Sequence, residues 1–385
     1  MMYRNPTQES FEFRVPSFEF AEHGRRWFKE QHFDKKNRTS NSTLFSMTKL
    51  EQLQRTGIHR VGTKERGFRY QRVDLEKVNG ADLKRVRELK IPPAWTDVWI
   101  NTVAGAAVQA IGRDAAGRLQ YVYHANHTRR QDAKKFSRVI KFAEALPKMR
   151  AAVGSQIRQP GLGKEPVMAS ILRILSTCFL RPGSQVYASE NGSFGLATLR
   201  PRHVKVKADV VEFDFPGKSG VRQVRQLKDR HVARVVRNLL RRPAREVFKY
   251  QNGNGEFVNV TRQHINEYIR EVMGEKFSAK DFRTWAGTLV CACALAKRGC
   301  EPGEANALRK RKVVEAVKET ADLLGNTAAV CRSSYICPEI IQSFESGKTI
   351  SKYFNSLNEL TAYRGRKLHP AEKSLLNFMK RGATG

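Results

Sequence analysis

Apolar positions change their period along the chain. From Gly67 to Tyr123, short apolar runs alternate with turn signals in GFRYQRV, WTDVWIN, AAVQAIGRD and AAGRLQYVYH. Runs of that length bounded by glycine, aspartate and asparagine predict strands. One stretch, ADLKRVRELKI, has helical spacing instead. After HANHTRRQDAKKF the pattern turns helical, first over Phe136–Met149 and then over Glu165–Leu180. In the second helix Val167/Met168, Ile171/Leu172, Ile174/Leu175 and Cys178/Phe179 recur at helical spacing. The change places a domain boundary near residue 128.

A β insertion follows. VKVK and VVEFDF alternate apolar with charged residues, and PGKSG supplies a turn before VRQVRQL, which puts Lys218 at a hairpin tip. Helical patterns resume through Glu246 and run to Leu324, without internal repeat or low-complexity tract. Residues 1–55 mix aromatics with KKNRTSNST and keep no period, which predicts a partly ordered arm. Residues 346–385 are polar and basic and predict a C-terminal tail. The expected fold class is α+β, with a small sheet-rich domain over 56–128 and a mainly helical domain over 129–345 that carries the hairpin.

Composition adds a partner. Among 385 residues, 70 Lys+Arg face 37 Asp+Glu, leaving a net charge of +33. A surplus of that size repels itself unless a polyanion accompanies it, which ranks DNA or RNA first and an anionic membrane second. No apolar run approaches the roughly 18 residues needed to span a bilayer, and MMYRNPTQESFEF has no apolar signal core. The expected place is therefore the cytoplasm, with the nucleoid, and not a membrane. The six cysteines lack paired C-x-x-C spacing and the density of a secreted scaffold, so reduced thiols are expected, with no zinc site and no disulfide.

Several polar residues then admit two readings each. Arg181 follows a helix, where a cation favours the negative end of the dipole or serves a reaction. Lys218 either blunts a sheet edge or reaches a ligand. In FSAKDFRTWAG, Ser278 and Asp281 form a capping box that places Arg283 in the opening turns of a helix, near positive amides. That is a poor place for a bare cation and a good one for a phosphate donor. Gly325 ends the Val313–Leu324 helix as a C′ glycine, and Asn326 or Thr327 caps a short helix from Ala328 that Tyr335 ends. Tyr335 is thereby a half-buried core residue or a nucleophile. Two arginines, a hairpin lysine, an amide and a tyrosine on a DNA-charged chain form a set suited to phosphoryl transfer. That reaction needs an in-line nucleophile, cationic clamps on non-bridging oxygens and a proton donor for the leaving oxygen.

In IPPAWTDVWI, GRDAAGRLQYVYH, FLRPGSQVYASENGSFGLATLRPRHV, FPGKSG, KDFRTWAG and LGNTAAVCRSSYI, taken in order, the chain resembles the type IB DNA topoisomerases. The likeness is greatest to short bacterial and poxvirus-like members, over roughly residues 65–345. It implies the fold shared by tyrosine recombinases and type IB topoisomerases. It also implies a monomer acting on double-stranded DNA without metal, nucleotide or other cofactor. By motif, Arg181, Lys218, Arg283 and Asn326 correspond to catalytic residues and Tyr335 to the nucleophile. Lys280 corresponds to a helper at the site, and Tyr121, Tyr123 and Tyr187 to DNA contacts. Eukaryotic and poxvirus members place a histidine where this chain has Asn326, as bacterial members often do. Asparagine donates an amide N–H but carries no charge, so its interaction with a phosphate is weaker and independent of pH.

The implied mechanism is attack of Tyr335 on a DNA phosphate to give a 3′-phosphotyrosyl link, swivelling of the duplex, and resealing by the 5′-hydroxyl. Residues 218–245, with ten Lys/Arg against Asp229 alone, read as a phosphate-contact stretch or a solvated basic face. Two rival readings are a tyrosine recombinase and a non-enzymatic basic DNA-binding protein. HVAR at 231–234 imitates the recombinase box but lies too far from Tyr335, and KDFR has lysine where that pattern wants histidine.

Overall fold

The computed structural model describes residues 47–74 and 76–383. The arm expected over 1–55 lies outside the described residues up to residue 46. Its last residues form helix α1 (Lys49–Thr56), which starts where Thr48 and Glu51 cap each other's backbone amides at 3.2 and 2.7 Å.

Strand β1 (Ile58–Thr63), β2 (Gly67–Arg72), helix α2 (Gly80–Glu88), β3 (Thr96–Ile100), β4 (Val108–Arg113) and β5 (Leu119–Tyr123) complete the N-terminal region. The strands form one antiparallel sheet in the order β2-β1-β3-β4-β5. Its centre is apolar: Ile58, Val98, Ile100 and Ala110 are buried with Val86 of α2, and Leu53 of α1 packs with Val108 and Ile111. The sequence reading missed β1, since IHRVGT is short and mostly polar.

Helix α3 (Ala125–Gln156) leads into the helical body. It is much longer than the Phe136–Met149 expected. Pro147 removes one backbone donor within it, yet Phe136, Val139, Phe142, Leu146, Met149 and Val153 are buried on both sides of the proline and hold the helix together. Helix α4 (Lys164–Cys178) is buried almost all round and forms the centre of this body. It stops at Phe179, whose left-handed backbone (φ 53) is unusual for a bulky residue and lies next to Arg181.

Next come α5 (Gln185–Glu190), β6 (Val204–Lys207), β7 (Val210–Pro216), β8 (Arg222–Lys228) and α6 (Arg230–Leu240). The three strands form an antiparallel sheet in chain order, and Lys218 lies in the β7–β8 turn. Between Glu246 and Leu324 the chain is not continuously helical. Strands β9 (Lys249–Gln251) and β10 (Phe257–Asn259) form a small hairpin before α7 (Arg262–Met273), because the intervening NGNG favours a turn. Helices α8 (Ala279–Arg298), α9 (Asn306–Leu324), α10 (Ala328–Ser334) and α11 (Pro338–Glu345) follow.

The segment from residue 346, expected as a tail, contains α12 (Leu357–Ala362) and α13 (Pro370–Ala383). Ala371, Leu375, Leu376 and Met379 of α13 are buried in the main core, and Arg150 of α3 holds Glu372 through two bonds of 2.7 and 2.8 Å. Among the described residues no helix is long and apolar enough to cross a membrane. The six cysteines are free thiols.

Candidate active site

The turn between α9 and α10 is built by local rules. Gly325 takes the left-handed conformation (φ 58) that ends α9, the Asn326 amide returns to the Ala321 carbonyl at 3.0 Å, and Thr327 caps α10 at the Val330 amide, 3.3 Å away. Tyr335 follows the short helix, its amide bonded to the Cys331 carbonyl at 2.9 Å. Helix α8 fixes the other side. The Thr288 hydroxyl donates to the Tyr335 carbonyl (3.2 Å) and accepts from the Cys337 amide (3.3 Å). A Cβ on Gly287 would fall 2.8 Å from the Tyr335 carbonyl oxygen and 2.9 Å from its Cβ, so only glycine admits this approach.

Arg283 is buried and donates to the carbonyls of Phe179, beyond α4, and Leu324, the last residue of α9 (2.7 Å for the latter). It lies in the opening turns of α8, as expected. The guanidinium turns to the ends of two other helices, where carbonyl dipoles stabilise a cation. From there it lies under the Tyr335 ring, 4.9 Å from the centroid. The N-terminus of α8 is secured separately: Asp281 accepts from the Ser278 amide and hydroxyl (2.8 and 2.9 Å) and takes both donors of Arg138 at 2.6 and 2.7 Å. Lys135 of α3 donates to the Ser333 carbonyl (3.3 Å), just before Tyr335.

Arg181 donates to Oδ1 of Asn326. A guanidinium has donors only, so this contact fixes which way the amide points and leaves Nδ2 as its remaining donor. Nδ2 is buried and has no hydrogen-bond partner among the described residues. Burial lowers the pKa of Arg181, and it brings Arg283 down to about 10, with Arg181 adding repulsion. Both remain charged at neutral pH. For Tyr335, burial pushes the phenol up, but the charge and hydrogen bonding of Arg283, followed by Arg181 and Lys280, outweigh it and leave the hydroxyl below the usual phenol range.

Arg181, Arg283 and Tyr335 open on a cleft of about 600 Å³ that Lys218, Lys280 and Tyr187 also line, and Asn326 does not. Arg118, at the turn between β4 and β5, lines it from the sheet domain, and Arg262 and Asn266 line it from α7. The sequence reading had named none of these three, because nothing local marks a turn or helix-start residue as facing a cleft built from other elements. Tyr121 and Tyr123 lie elsewhere, on the exposed face of β5. They stack on each other at 6.1 Å, and Tyr123 stacks on His127 of α3 at 5.2 Å. They are not core packing. The basic stretch 218–245 is not uniformly free: Arg225, Arg234 and Arg237 donate to backbone carbonyls, and Arg222 pairs with Asp214.

The family model described as the eukaryotic DNA topoisomerase I catalytic core matches residues 124–362, and that of the bacterial DNA topoisomerase IB N-terminal domain matches residues 67–114. The chain is 31% identical over 296 residues to a DNA topoisomerase 1B of Acanthamoeba polyphaga mimivirus, covering 75% of this chain and 88% of that protein. It is 22% identical over 264 residues to the DNA topoisomerase 1B of Vaccinia virus (strain Copenhagen), covering 67% and 80%. With DNA topoisomerase 1 of Drosophila melanogaster it shares 27% identity over 199 residues, 50% of this chain and 18% of that protein.

Proposed function

Because the chain belongs to the type IB DNA topoisomerases, we propose that Tyr335 is the nucleophile with which it cleaves and reseals one DNA strand. The observation that carries this assignment is the placement of the Tyr335 phenol against Arg283 and Arg181, with its acidity raised by both. A phenol so placed attacks phosphorus as an oxyanion after giving its proton to water in the cleft. The new bond is phenol oxygen to phosphorus, and the bond that breaks is phosphorus to the 5′-oxygen of the next nucleotide.

Arg181, Arg283 and Asn326 Nδ2 supply donors for the non-bridging oxygens as charge builds on them. Lys218, exposed at the tip of its hairpin, is the general acid that protonates the leaving 5′-oxygen. Lys280 adds positive charge at the same cleft. With the 5′-hydroxyl free, the duplex swivels about the intact strand. Reversal of the same step then reseals it, since the covalent link retains the bond energy and neither nucleotide nor metal enters the balance.

The sheet domain (56–128) and the helical domain (129–345) hold double-stranded DNA between them, with Arg118 of the first and Tyr187 of the second lining the cleft and Tyr121 and Tyr123 outside it. The setting we propose is a monomer on chromosomal DNA in a bacterial cytoplasm, on the match to the bacterial N-terminal domain. The test is relaxation of supercoiled plasmid in EDTA without nucleotide. Relaxation is expected for the parent protein and not for Tyr335→Phe; equal relaxation by both would refute the assignment of the nucleophile.

A further inference from the structure

Strand β8 leaves the Lys218 tip with alternate side chains turned inward. Arg222 and Val224 are exposed, whereas Gln223 is buried and Arg225 half-buried. The two inward residues reach the turn that carries Asn326. Arg225 donates to the Leu323 carbonyl at the end of α9. Gln223 fills the space between the hairpin and that turn, and two glycines make way for it. A Cβ on Gly217 would lie 2.8 Å from Cγ of Gln223, and a Cβ on Gly325 would lie 2.4 Å from its Nε2 and 2.7 Å from its Oε1. The left-handed backbone at Gly325 alone would admit asparagine. A side chain there would have to displace the Gln223 amide.

The two ends of this contact are unequally secured. Asn326 is held by the Ala321 carbonyl and by Arg181, independently of Gln223. The hairpin tip is held less directly: Lys218, Ser219, Gly220 and Val221 are exposed, their backbone bonds close only the turn itself, at 2.9 to 3.4 Å, and the one backbone bond that ties the end of β7 to another segment among the described residues is from the Phe194 amide to the Pro216 carbonyl at 2.9 Å. Gln223 is the first buried side chain of β8 behind the tip, paired with Phe215 across the hairpin, and its Nε2 donates to the Val221 carbonyl at 3.3 Å. It does not line the cleft.

We propose that Gln223 is a positioning residue for Lys218, seating the hairpin on Gly325 so that the ammonium group meets the leaving 5′-oxygen. The inference rests on the reading of Lys218 as the general acid.

Single-turnover cleavage of two duplexes tests it, one with oxygen and one with sulfur at the 5′-bridging position of a mapped cleavage site. A thiolate leaves without a proton, so sulfur cures a defect in the acid and no other. Gln223→Ala is expected to cut the oxygen duplex ~10- to 100-fold slower than the parent, as misplacement of a reacting group does, and the sulfur duplex within ~3-fold of it. Should Gln223→Ala fail to fold, Gln223→Asn, shorter by one methylene, is expected to show the same pattern with a loss of ~5-fold on oxygen alone. Lys218→Ala is the control that sulfur must cure. If sulfur cures Lys218→Ala while the Gln223 variant stays equally slow on both duplexes, or loses nothing on oxygen, the positioning role is overturned and the acid assignment stands. If sulfur fails to cure Lys218→Ala, the acid assignment falls and this inference with it.

Discussion

In the sheet domain, Tyr121 and Tyr123 lie 41% and 46% exposed in a stack with His127, while in the helical body Tyr335 lies half-buried over a guanidinium whose donors are bonded to helix ends. The same side chain thus meets two environments. On β5 it offers an aromatic surface that a nucleic acid can cover; after α10 it offers one oxygen whose acidity two arginines raise. On the function proposed above, binding energy would come from the first region and chemistry from the second, and substitutions should separate them.

The sharpest separation is at the two tyrosine sites. Tyr335→Phe is expected to slow single-turnover cleavage by ~10⁴-fold or more, since no other group replaces the nucleophile, with DNA affinity in a filter-binding assay unchanged. Arg283→Ala comes next. It removes a transition-state donor and leaves the Phe179 and Leu324 carbonyls unpaired, so cleavage is expected to fall ~10³-fold and stability, read by urea unfolding, by ~2–4 kcal/mol. Arg283→Lys should not restore activity, because one ammonium cannot span both carbonyls and a phosphate.

Gly287→Ala tests how closely α8 must approach Tyr335. The added methyl meets the Tyr335 backbone below contact distance, and a loss of ~1–3 kcal/mol in stability with a ~10- to 100-fold slower cleavage is expected. On the other side of the comparison, Tyr121→Ala with Tyr123→Ala should weaken DNA binding by ~10-fold, the loss of an aromatic stacking surface, and leave cleavage at saturating DNA within ~3-fold of the parent. A large loss of cleavage at saturation would erase the division between grip and chemistry.

The smallest effect expected is at Asn326. The amide carries no ionisable group, so the parent's cleavage should show no limb from a residue titrating near pH 6.5. Asn326→His should add one. A protonated imidazole is the stronger donor, so any acceleration, ~3- to 10-fold, should appear at low pH and vanish as the pH rises through the imidazole pKa.

What could be read from the chain alone follows the range of the interactions. The α9–α10 turn was legible because Gly325, Thr327 and the apolar spacing act within a few residues. Lys218 at its tip was legible because alternation and a glycine turn fix a hairpin. The bonds from Arg138 to Asp281 and from Lys135 to Ser333 were not, since they join residues 143 and 198 positions apart and no local signal marks the distant partner. The β9–β10 hairpin escaped because strands of three residues show too little alternation. Helix α13 escaped although its buried Ala371, Leu375 and Met379 recur at helical spacing, because the polar and basic composition of residues 346–385 reads as a tail. The partners of Arg283 were not legible because its helix position says nothing about which carbonyls lie beyond it.

The division of labour stands or falls on one bond. A duplex nicked so that the short downstream fragment bearing the new 5′-hydroxyl departs after cleavage would trap the covalent adduct, which proteolysis and peptide mass spectrometry can map. Attachment of Tyr335 to a 3′-phosphate is the expected result; a different residue, or a link to a 5′-phosphate, would contradict the assignment of Tyr335 as the group that cuts and reseals the strand.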